Sequence, residues 1–260
     1  MPLTASNENG SLEGQSRPGD GQLARHRGRD CRPVRPRRAK VALHGRDVDA
    51  LSAVLADIVH AGGEALDVTA DVTKFSDIEA MRRRIEREFG PLDILIANAG
   101  GSFTTPGPIE QTSEEEWRAS IDGNLTATFL TIKSFLPRMK ERRTGNIITI
   151  SSAAARRPNP VAPIAYAAAK AGIEILTQDL AGQVGPYGIR ANCIAPETIL
   201  TERNKTRIPS GQRKDLIELH PIKRLGTPED VAHAALYLVS DDAAWIAGIT
   251  LDVAGGAVMV

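Results

Sequence analysis

The chain has few of the residues that mark several protein classes. Two cysteines, Cys31 and Cys193, are too few for a disulfide framework and are typical of a reducing compartment. No cysteines and histidines share zinc spacing, so we expect no metal. No apolar run approaches the ~20 residues of a membrane span, and the N-terminus lacks an apolar signal core. We therefore expect a cytoplasmic protein that does not act at a membrane.

An excess of charge of one sign is also absent. Lys+Arg and Asp+Glu number 32 each, so the overall charge favours neither a nucleic-acid nor an anionic-membrane partner. The 42% hydrophobic and 25% charged residues are typical of a globular protein. A chain of 260 residues suits one α/β domain of ordinary size.

The charge is uneven along the chain. Residues 17–38 hold eight arginines and two aspartates, with neither helical nor strand periodicity. From Lys40 onward the pattern changes at once to short apolar runs and amphipathic segments. We therefore divide the chain into an atypical Arg/Pro-rich segment, 1–39, and a folded domain, 40–260.

The folded domain alternates strand and helix patterns. Strands are predicted at 40–44, 65–68, 92–97, 146–150, 189–194 and 249–253. Helices are predicted over 51–59, 78–89 with Ser76 as the cap, 113–139, 166–184 and 228–239. Such alternation requires crossover connections, so it predicts a single α/β domain with a doubly wound parallel sheet.

The strongest chemical pattern is Tyr166-Ala-Ala-Ala-Lys170. A spacing of four residues on a helix places both side chains on one face. A phenol with a pKa of ~10 is a poor acid or base at neutral pH, and a neighbouring ammonium would lower that pKa. By itself the pattern also occurs on ordinary helix surfaces, so the neighbouring motifs must show whether the pair is catalytic.

Polar and small residues follow two predicted strands directly. Ser151 and Ser152 follow the fourth strand, and Asn98 and Gly100 follow the third. Residues just past the carboxyl ends of parallel strands face the crevice where ligands bind. A serine there can donate a hydrogen bond to a substrate carbonyl. The same pattern also occurs where the serine hydroxyl only bonds backbone groups of its own turn.

These motifs together resemble the short-chain dehydrogenase/reductase family. The resemblance rests on Ser152, Tyr166 and Lys170, on Asn98-Ala-Gly100, on Asn124, and on the segments RLGTPEDVA and ITLDVAGG near the end. It covers about 39–260 and is closest in pattern to 3-oxoacyl-carrier-protein reductases. It implies a Rossmann-like fold, a small-molecule carbonyl or alcohol substrate, NAD(P)-dependent hydride transfer, and a homo-oligomer (tetramer or dimer) formed through helices 113–139 and 164–184.

The resemblance also implies roles for individual residues. Tyr166 would exchange a proton with the substrate oxygen, Lys170 would bind the nicotinamide ribose, Ser152 rather than Ser151 would polarise the carbonyl, and Asn124 would anchor a relay water. The implied cofactor contacts are Arg46, Asp71, Val72, Asn98, Ala99, Gly100, Tyr166, Lys170, Pro196, Ile199 and Thr201. The family's usual Pro-Gly is Pro196-Glu197 here, and the segment 197–225 would form the substrate loop.

Cofactor choice can be argued from charge. Enzymes that prefer NAD usually place an acid at the end of the second sheet strand, where it accepts from the ribose 2′-hydroxyl. This chain has Gly45 in that place, and Arg46 can pair with a 2′-phosphate. We therefore predict NADP, with NAD as the alternative because Asp47 is adjacent.

The N-terminal segment departs from the family pattern. A first strand and a TGxxxGxG phosphate loop are expected before Lys40, but residues 14–38 have neither, and their arginines and prolines do not suit a central buried strand. Because the genetic code is degenerate, the codons of these residues, when read one nucleotide later, can encode GKVALVTGSSRGIG followed by an alanine-rich helix. We hypothesise two compensating frameshifts, either in the gene itself or in the reading of its sequence. We expect weak or absent cofactor binding and lowered stability from the chain as written.

Two other functions remain open at this point. The chain could be an inactive scaffold that keeps the family's oligomer contacts without a phosphate loop. It could also bind nucleic acid through the arginine-rich segment, but that segment has no aromatic residue for stacking and no recognition motif, so we do not expect this.

Overall fold

A computed structural model describes residues 39–159 and 161–260, and the Arg/Pro-rich segment 1–38 lies outside that range. Helices and parallel strands alternate in it, as predicted. The strands are β1 (Lys40–His44), β2 (Glu64–Val68), β3 (Ile94–Ala97), β4 (Gly145–Ile150), β5 (Ile189–Pro196) and β6 (Thr250–Val253). The helices are α1 (Val48–His60), α2 (Phe75–Phe89), α3 (Glu114–Ile121), α4 (Ala127–Arg142), α5 (Ala153–Arg156), α6 (Ile164–Val184), α7 (Glu202–Arg207), α8 (Ser210–Leu219) and α9 (Pro228–Val239).

The strands form two parallel sheets. One has two strands in the order β1-β2, and the other has four in the order β3-β4-β5-β6. In the second sheet Ile147 of β4 pairs with Leu95 of β3 on one side and with Ala191 of β5 on the other. Within the described part of the chain no strand pairing joins the two sheets. The predicted doubly wound architecture is therefore present, with a break in its sheet.

One hydrophobic core lies against both sheets. Val68 of β2, Leu95 of β3 and Ile147 of β4 are buried in one cluster with the apolar faces of α2 and α4. A second cluster packs Leu238 of α9 against Ile194 of β5 on the other face. Helices therefore cover both faces of the four-stranded sheet, which explains why β4 and β5 are almost continuously buried.

The helix starts follow local capping chemistry. Ser113 and Glu116 form the predicted capping box at α3, and Thr227 and Asp230 form one at α9, where Pro228 occupies the first turn. The prediction for α2 was wrong in one detail. Its cap position is Lys74, and Ser76 lies inside the first turn, where its hydroxyl donates to the neighbouring Asp77.

The structure corrects two longer segments. The helix predicted over 113–139 is interrupted by a π-helical turn, Asp122–Thr126, before α4 continues to Arg142. The segment 197–225, expected as a loop, contains α7 and α8. No described helix combines the length and the apolar character needed to cross a membrane.

Candidate active site

The carboxyl ends of β3, β4 and β5 open into a common cavity of about 200 Å³. Parallel strands end at one edge of a sheet, so the residues that follow each strand meet there. Of the residues singled out from the sequence, the cavity is lined by Asn98, Gly100, Ser152, Tyr166, Lys170 and Pro196. Gly101, Ile150, Ser151 and Glu197 complete its wall. The candidate catalytic residues of α6 and the loop after β4 are thus brought together.

Lys170 is buried beneath the Tyr166 ring. It is 4% exposed, its Nζ lies 5.7 Å from the ring centroid, and it donates to the Ile150 carbonyl at 2.8 Å. Burial lowers the pKa of this ammonium from its usual 10.5 to about 8, because the charged form loses hydration. Lys170 therefore remains mostly protonated at neutral pH.

The environment of Tyr166 differs from the expected one. Burial raises the pKa of its phenol above 10, a hydrogen bond with Ser152 lowers it, and the Glu197 carboxylate raises it further. Sequence reasoning expected Lys170 to lower this pKa. In the described cavity the ammonium is directed to the Ile150 carbonyl and lies under the ring, so desolvation dominates.

The two adjacent serines have different partners. The Ser151 hydroxyl is buried, and two acceptors lie within reach of its single proton: the Glu174 carboxylate at 2.8 Å and the Lys170 carbonyl at 3.0 Å. Ser152 begins α5, where its hydroxyl accepts from the Ala154 N–H at 3.2 Å. Ser152 lines the cavity together with Tyr166 and lowers the pKa of that phenol, so it is the serine whose hydroxyl is available to a ligand there.

Asn124 fixes the loop after β3. Its amide accepts from the Gly101 N–H and donates to the Gly101 carbonyl, both at 3.0 Å, and it donates to the Ser120 carbonyl at 2.8 Å. The π-helical turn places it there, fully buried. A Cβ at Gly100, whose φ is +144°, would lie 2.5 Å from the Asn124 Oδ1. Asn124 therefore determines the shape of this wall.

Six residues proposed for cofactor binding do not line this cavity. Arg46 is exposed between β1 and α1, Asp71 accepts from the Thr73 N–H and hydroxyl, and Val72 packs against the core. Ile199 bridges to Gly226, and Thr201 caps α7. Ala99 belongs to the loop after β3 but does not line the cavity wall. Of the residues expected to contact the cofactor, the cavity therefore contains those near Tyr166 and Lys170 but not those that follow β1 and β2.

Sequence reasoning missed an ionic network behind the serines. Arg156 of α5 binds Asp252 of β6 through two nitrogens, at 2.9 and 3.2 Å, and binds Glu174 of α6 at 3.0 Å. Glu174 in turn accepts from Ser151. The spacing of four between Lys170 and Glu174 was visible in the sequence, but Asp252 lies 96 positions after Arg156, and no local pattern indicates that pair.

The cavity fits the nicotinamide ribose that the resemblance implies. Ile150 is the only described hydrogen-bond acceptor of the Lys170 ammonium, so two of its three N–H donors are available for hydroxyl groups. Asn98, Gly100 and Gly101 form the opposite wall of the same cavity. No group of three metal-ligating side chains occurs among the described residues.

Comparisons with known proteins identify the family of the chain. A family model described as enoyl-(acyl carrier protein) reductase matches residues 33–258. Glucose 1-dehydrogenase 2 of Bacillus subtilis is 40% identical over 196 residues, 75% of each chain. The 7alpha-hydroxysteroid dehydrogenase of Escherichia coli K12 is 34% identical over 220 residues, 85% of each chain.

A solved structure shares the fold. It is a 3-oxoacyl-[acyl-carrier protein] reductase from Brucella melitensis with bound NAD, which is 32% identical and has a TM-score of 0.78 over 86% of this chain and 83% of its own. With the family model, these relatives and the parallel sheet in agreement, the chain belongs to the short-chain dehydrogenase/reductase family and is similar to its 3-oxoacyl-acyl-carrier-protein reductases.

Proposed function

We propose that the protein transfers a hydride reversibly between NADP(H) and the carbonyl or alcohol carbon of a small molecule. The observation that carries the proposal is the convergence of Ser152, Tyr166 and Lys170 on one cavity at the strand ends. A nicotinamide cofactor, when bound, supplies or accepts the hydride. The protein's own residues then have to position the substrate and move one proton.

The proton step is assigned to Tyr166. Its raised pKa keeps the phenol protonated at neutral pH, so it can donate to the oxygen of a carbonyl that is being reduced. Ser152 orients that oxygen by donating a second hydrogen bond. Lys170 holds ribose hydroxyls with the N–H donors that its bond to the Ile150 carbonyl leaves free.

The test of this assignment is Tyr166→Phe. We expect turnover of carbonyl substrates with NADPH to fall by ~10²–10⁴ while the folded state is kept, because only the acidic proton is removed. Tyr237→Phe, at an exposed tyrosine of α9, is the matched control and should leave turnover unchanged. Unchanged turnover in Tyr166→Phe would remove this residue from the mechanism.

The choice of NADP is supported by the end of β1. Arg46 is exposed there, and Asp47 uses its side chain to cap α1 by accepting from the Ala50 N–H at 3.0 Å. The adjacent acid is thus engaged in helix capping, which leaves Arg46 for a phosphate. Arg46→Ala should weaken NADPH binding about tenfold and leave NADH binding unchanged, as measured by fluorescence titration of each cofactor.

We also propose that residues 14–38 replace a phosphate-binding loop because their codons are read in a shifted frame. Residues 14–38 stand where the family pattern requires a first strand and a phosphate loop but have the sequence of neither, and this supports two compensating frameshifts within codons 14–38. Sequencing the gene and mapping the peptides of residues 14–40 by mass spectrometry tests it. Codons that cannot encode a strand and phosphate loop in the second frame would refute it. A version with the frame restored should gain NADP-induced thermal stabilisation.

We also propose a homo-oligomer formed through α3, α4 and α6. Large apolar side chains of these helices are exposed, namely Trp117, Phe129, Ile164 and Ile175. Contiguous exposed apolar surface is typical of protein interfaces. Sedimentation of the chain and of Ile175→Glu tests the assignment, since a buried charge should dissociate the oligomer. If the assembly persists without any cofactor binding, an inactive scaffold becomes the better description.

A further inference from the structure

Glu197 lies where two cavities meet. The catalytic cavity has a neighbour of about 380 Å³ at the carboxyl ends of β5 and β6, whose wall includes His220 and Gly255. Among the described residues, Glu197 is the only one that lines both cavities. A substrate whose reacting carbon lies at Tyr166 would therefore pass this side chain with the rest of its structure.

The Glu197 carboxylate is held in place without a cation. Its backbone N–H donates to the Val253 carbonyl at 3.1 Å, and its Oε1 accepts only from the adjacent Thr198 hydroxyl, at 3.2 Å. No described side chain forms an ion pair with it. A carboxylate that lines a cavity in this way is stabilised by any group that donates hydrogen bonds to it.

The other acids of the second cavity are neutralised. Asp230 pairs with Arg224 at 2.6 Å, and Asp252 pairs with Arg156 at 2.9 Å. Among the described acids that line the two cavities, Glu197 is therefore the one without a cationic partner. Its charge acts on Tyr166, whose pKa it raises, so the carboxylate is close enough to act on a group bound there.

We propose that Glu197 determines the class of substrate, by accepting hydrogen bonds from hydroxyl or ammonium groups beyond the reacting carbon and repelling negatively charged ones. The inference rests on the proposed hydride transfer and adds its substrate class: polyhydroxylated molecules that are neutral or cationic. The glycine that the family pattern places here could not make this selection, since it has no side chain.

Three probes with one hexose scaffold test the inference: glucosamine, glucose and glucuronate. Their dissociation constants are measured by ligand-observed NMR, without cofactor, in slightly acidic buffer that keeps the amine protonated and the carboxylate ionised. The proteins are the full chain, Glu197→Gln, and Glu202→Gln as a control. Glu202 is an exposed acid of α7 that pairs with Lys205, so its variant removes one negative charge away from the cavities.

We expect the full chain to bind glucose at least about tenfold more tightly than glucuronate, with glucosamine at least as tight as glucose. Glu197→Gln should bring the three constants within about threefold, and Glu202→Gln should keep the original order. Equal affinities in the parent chain, an unchanged preference in Glu197→Gln, or no binding of any probe would overturn the inference. If the charge preference is found but no substrate is turned over with NADPH, the proposed function fails and the assignment of Glu197 stands.

Discussion

The four-stranded sheet and the two-stranded sheet differ in how completely they are packed. In the first, β4 and β5 have strands on both sides and helices on both faces, and nearly every residue is buried. In the second, only Leu43 and Val68 are fully buried, and Lys40 and Glu64 are exposed. A two-stranded unit is marginal by itself.

The difference also separates two parts of the chemistry. Ser152, Tyr166 and Lys170 belong to the four-stranded sheet and its covering helix. Arg46 and Asp71, which we assign to the cofactor's adenosine end, follow β1 and β2. The residues to which we assign proton transfer thus lie at the well-buried sheet, whereas those to which we assign cofactor selection follow the less buried strands of the described residues.

A matched pair of core truncations tests this contrast most directly. Ile147→Ala removes a fully buried side chain from β4, and we expect it to lower the free energy of unfolding by about 4 kcal/mol. Leu43→Ala in β1 should cost about 2 kcal/mol, because fewer buried side chains surround it. Urea unfolding measures both. Equal costs would show that the two sheets are packed equally well.

Lys170→Met tests how much the buried ammonium lowers the stability of the four-stranded sheet. The pKa of Lys170 is about 8 in the folded chain and 10.5 when the side chain is solvated. Between these pH values Lys170 is protonated in the unfolded chain but not in the folded one. The free energy of unfolding therefore rises with pH across that window. Below pH 8 its penalty is fully present, and the variant should be about 3 kcal/mol more stable, less the lost bond to Ile150. Urea unfolding at neutral and at alkaline pH measures this.

One result for Lys170→Met would contradict this account of its stability. If the variant and the parent chain differ equally at both pH values, then burial of the charge does not control the stability of this region. NADPH turnover should be lost in the variant at either pH.

Arg156→Met tests the ionic network of the same region. It leaves Glu174 and Asp252 close together and without their cation, so we expect a loss of about 2 kcal/mol in unfolding free energy. The control Arg156→Met/Glu174→Gln removes one of the two stranded charges and should recover part of that loss. Calorimetry of the three proteins measures it, and an additive double variant would refute the coupling.

The smallest effect is expected in the two-stranded sheet. Lys40 and Glu64 form an ion pair of 3.3 Å across β1 and β2, but both side chains are about half exposed or more. Glu64→Gln should change the unfolding free energy by less than about 0.5 kcal/mol. A larger loss in urea unfolding at low salt would mean that this pair contributes to holding the two strands together.

Local patterns predicted most of the fold. All six described strands and six of the nine described helices (α3 and α4 as one) follow from apolar periodicity and caps, because those signals lie within a few residues of each other. The π-helical turn could not be predicted, since it depends on bonds between Asn124 and Gly101, which lie 23 positions apart. The helices within 197–225 were missed because α8 buries no residue and so has no clear apolar face.

The site was predictable where function depends on spacing and strand ends. Tyr166 and Lys170 share a helix face, and Ser152 follows a strand, so the sequence places all three in one cavity. The effect of burial on their pKa values and the partners of Arg156 depend on packing between distant segments, which no local pattern encodes.

The π-helical turn has a consequence for insertions and deletions. Each residue of an α-helix turns the chain by about 100°, and a π turn adds one residue to that count. Deleting one residue within 122–126 would restore a regular helix through α3 and α4. The amide of Asn124 would then face away from Gly101, and the loop after β3 would lose its anchor although no other contact had been touched. The length of this turn therefore matters as much as its composition.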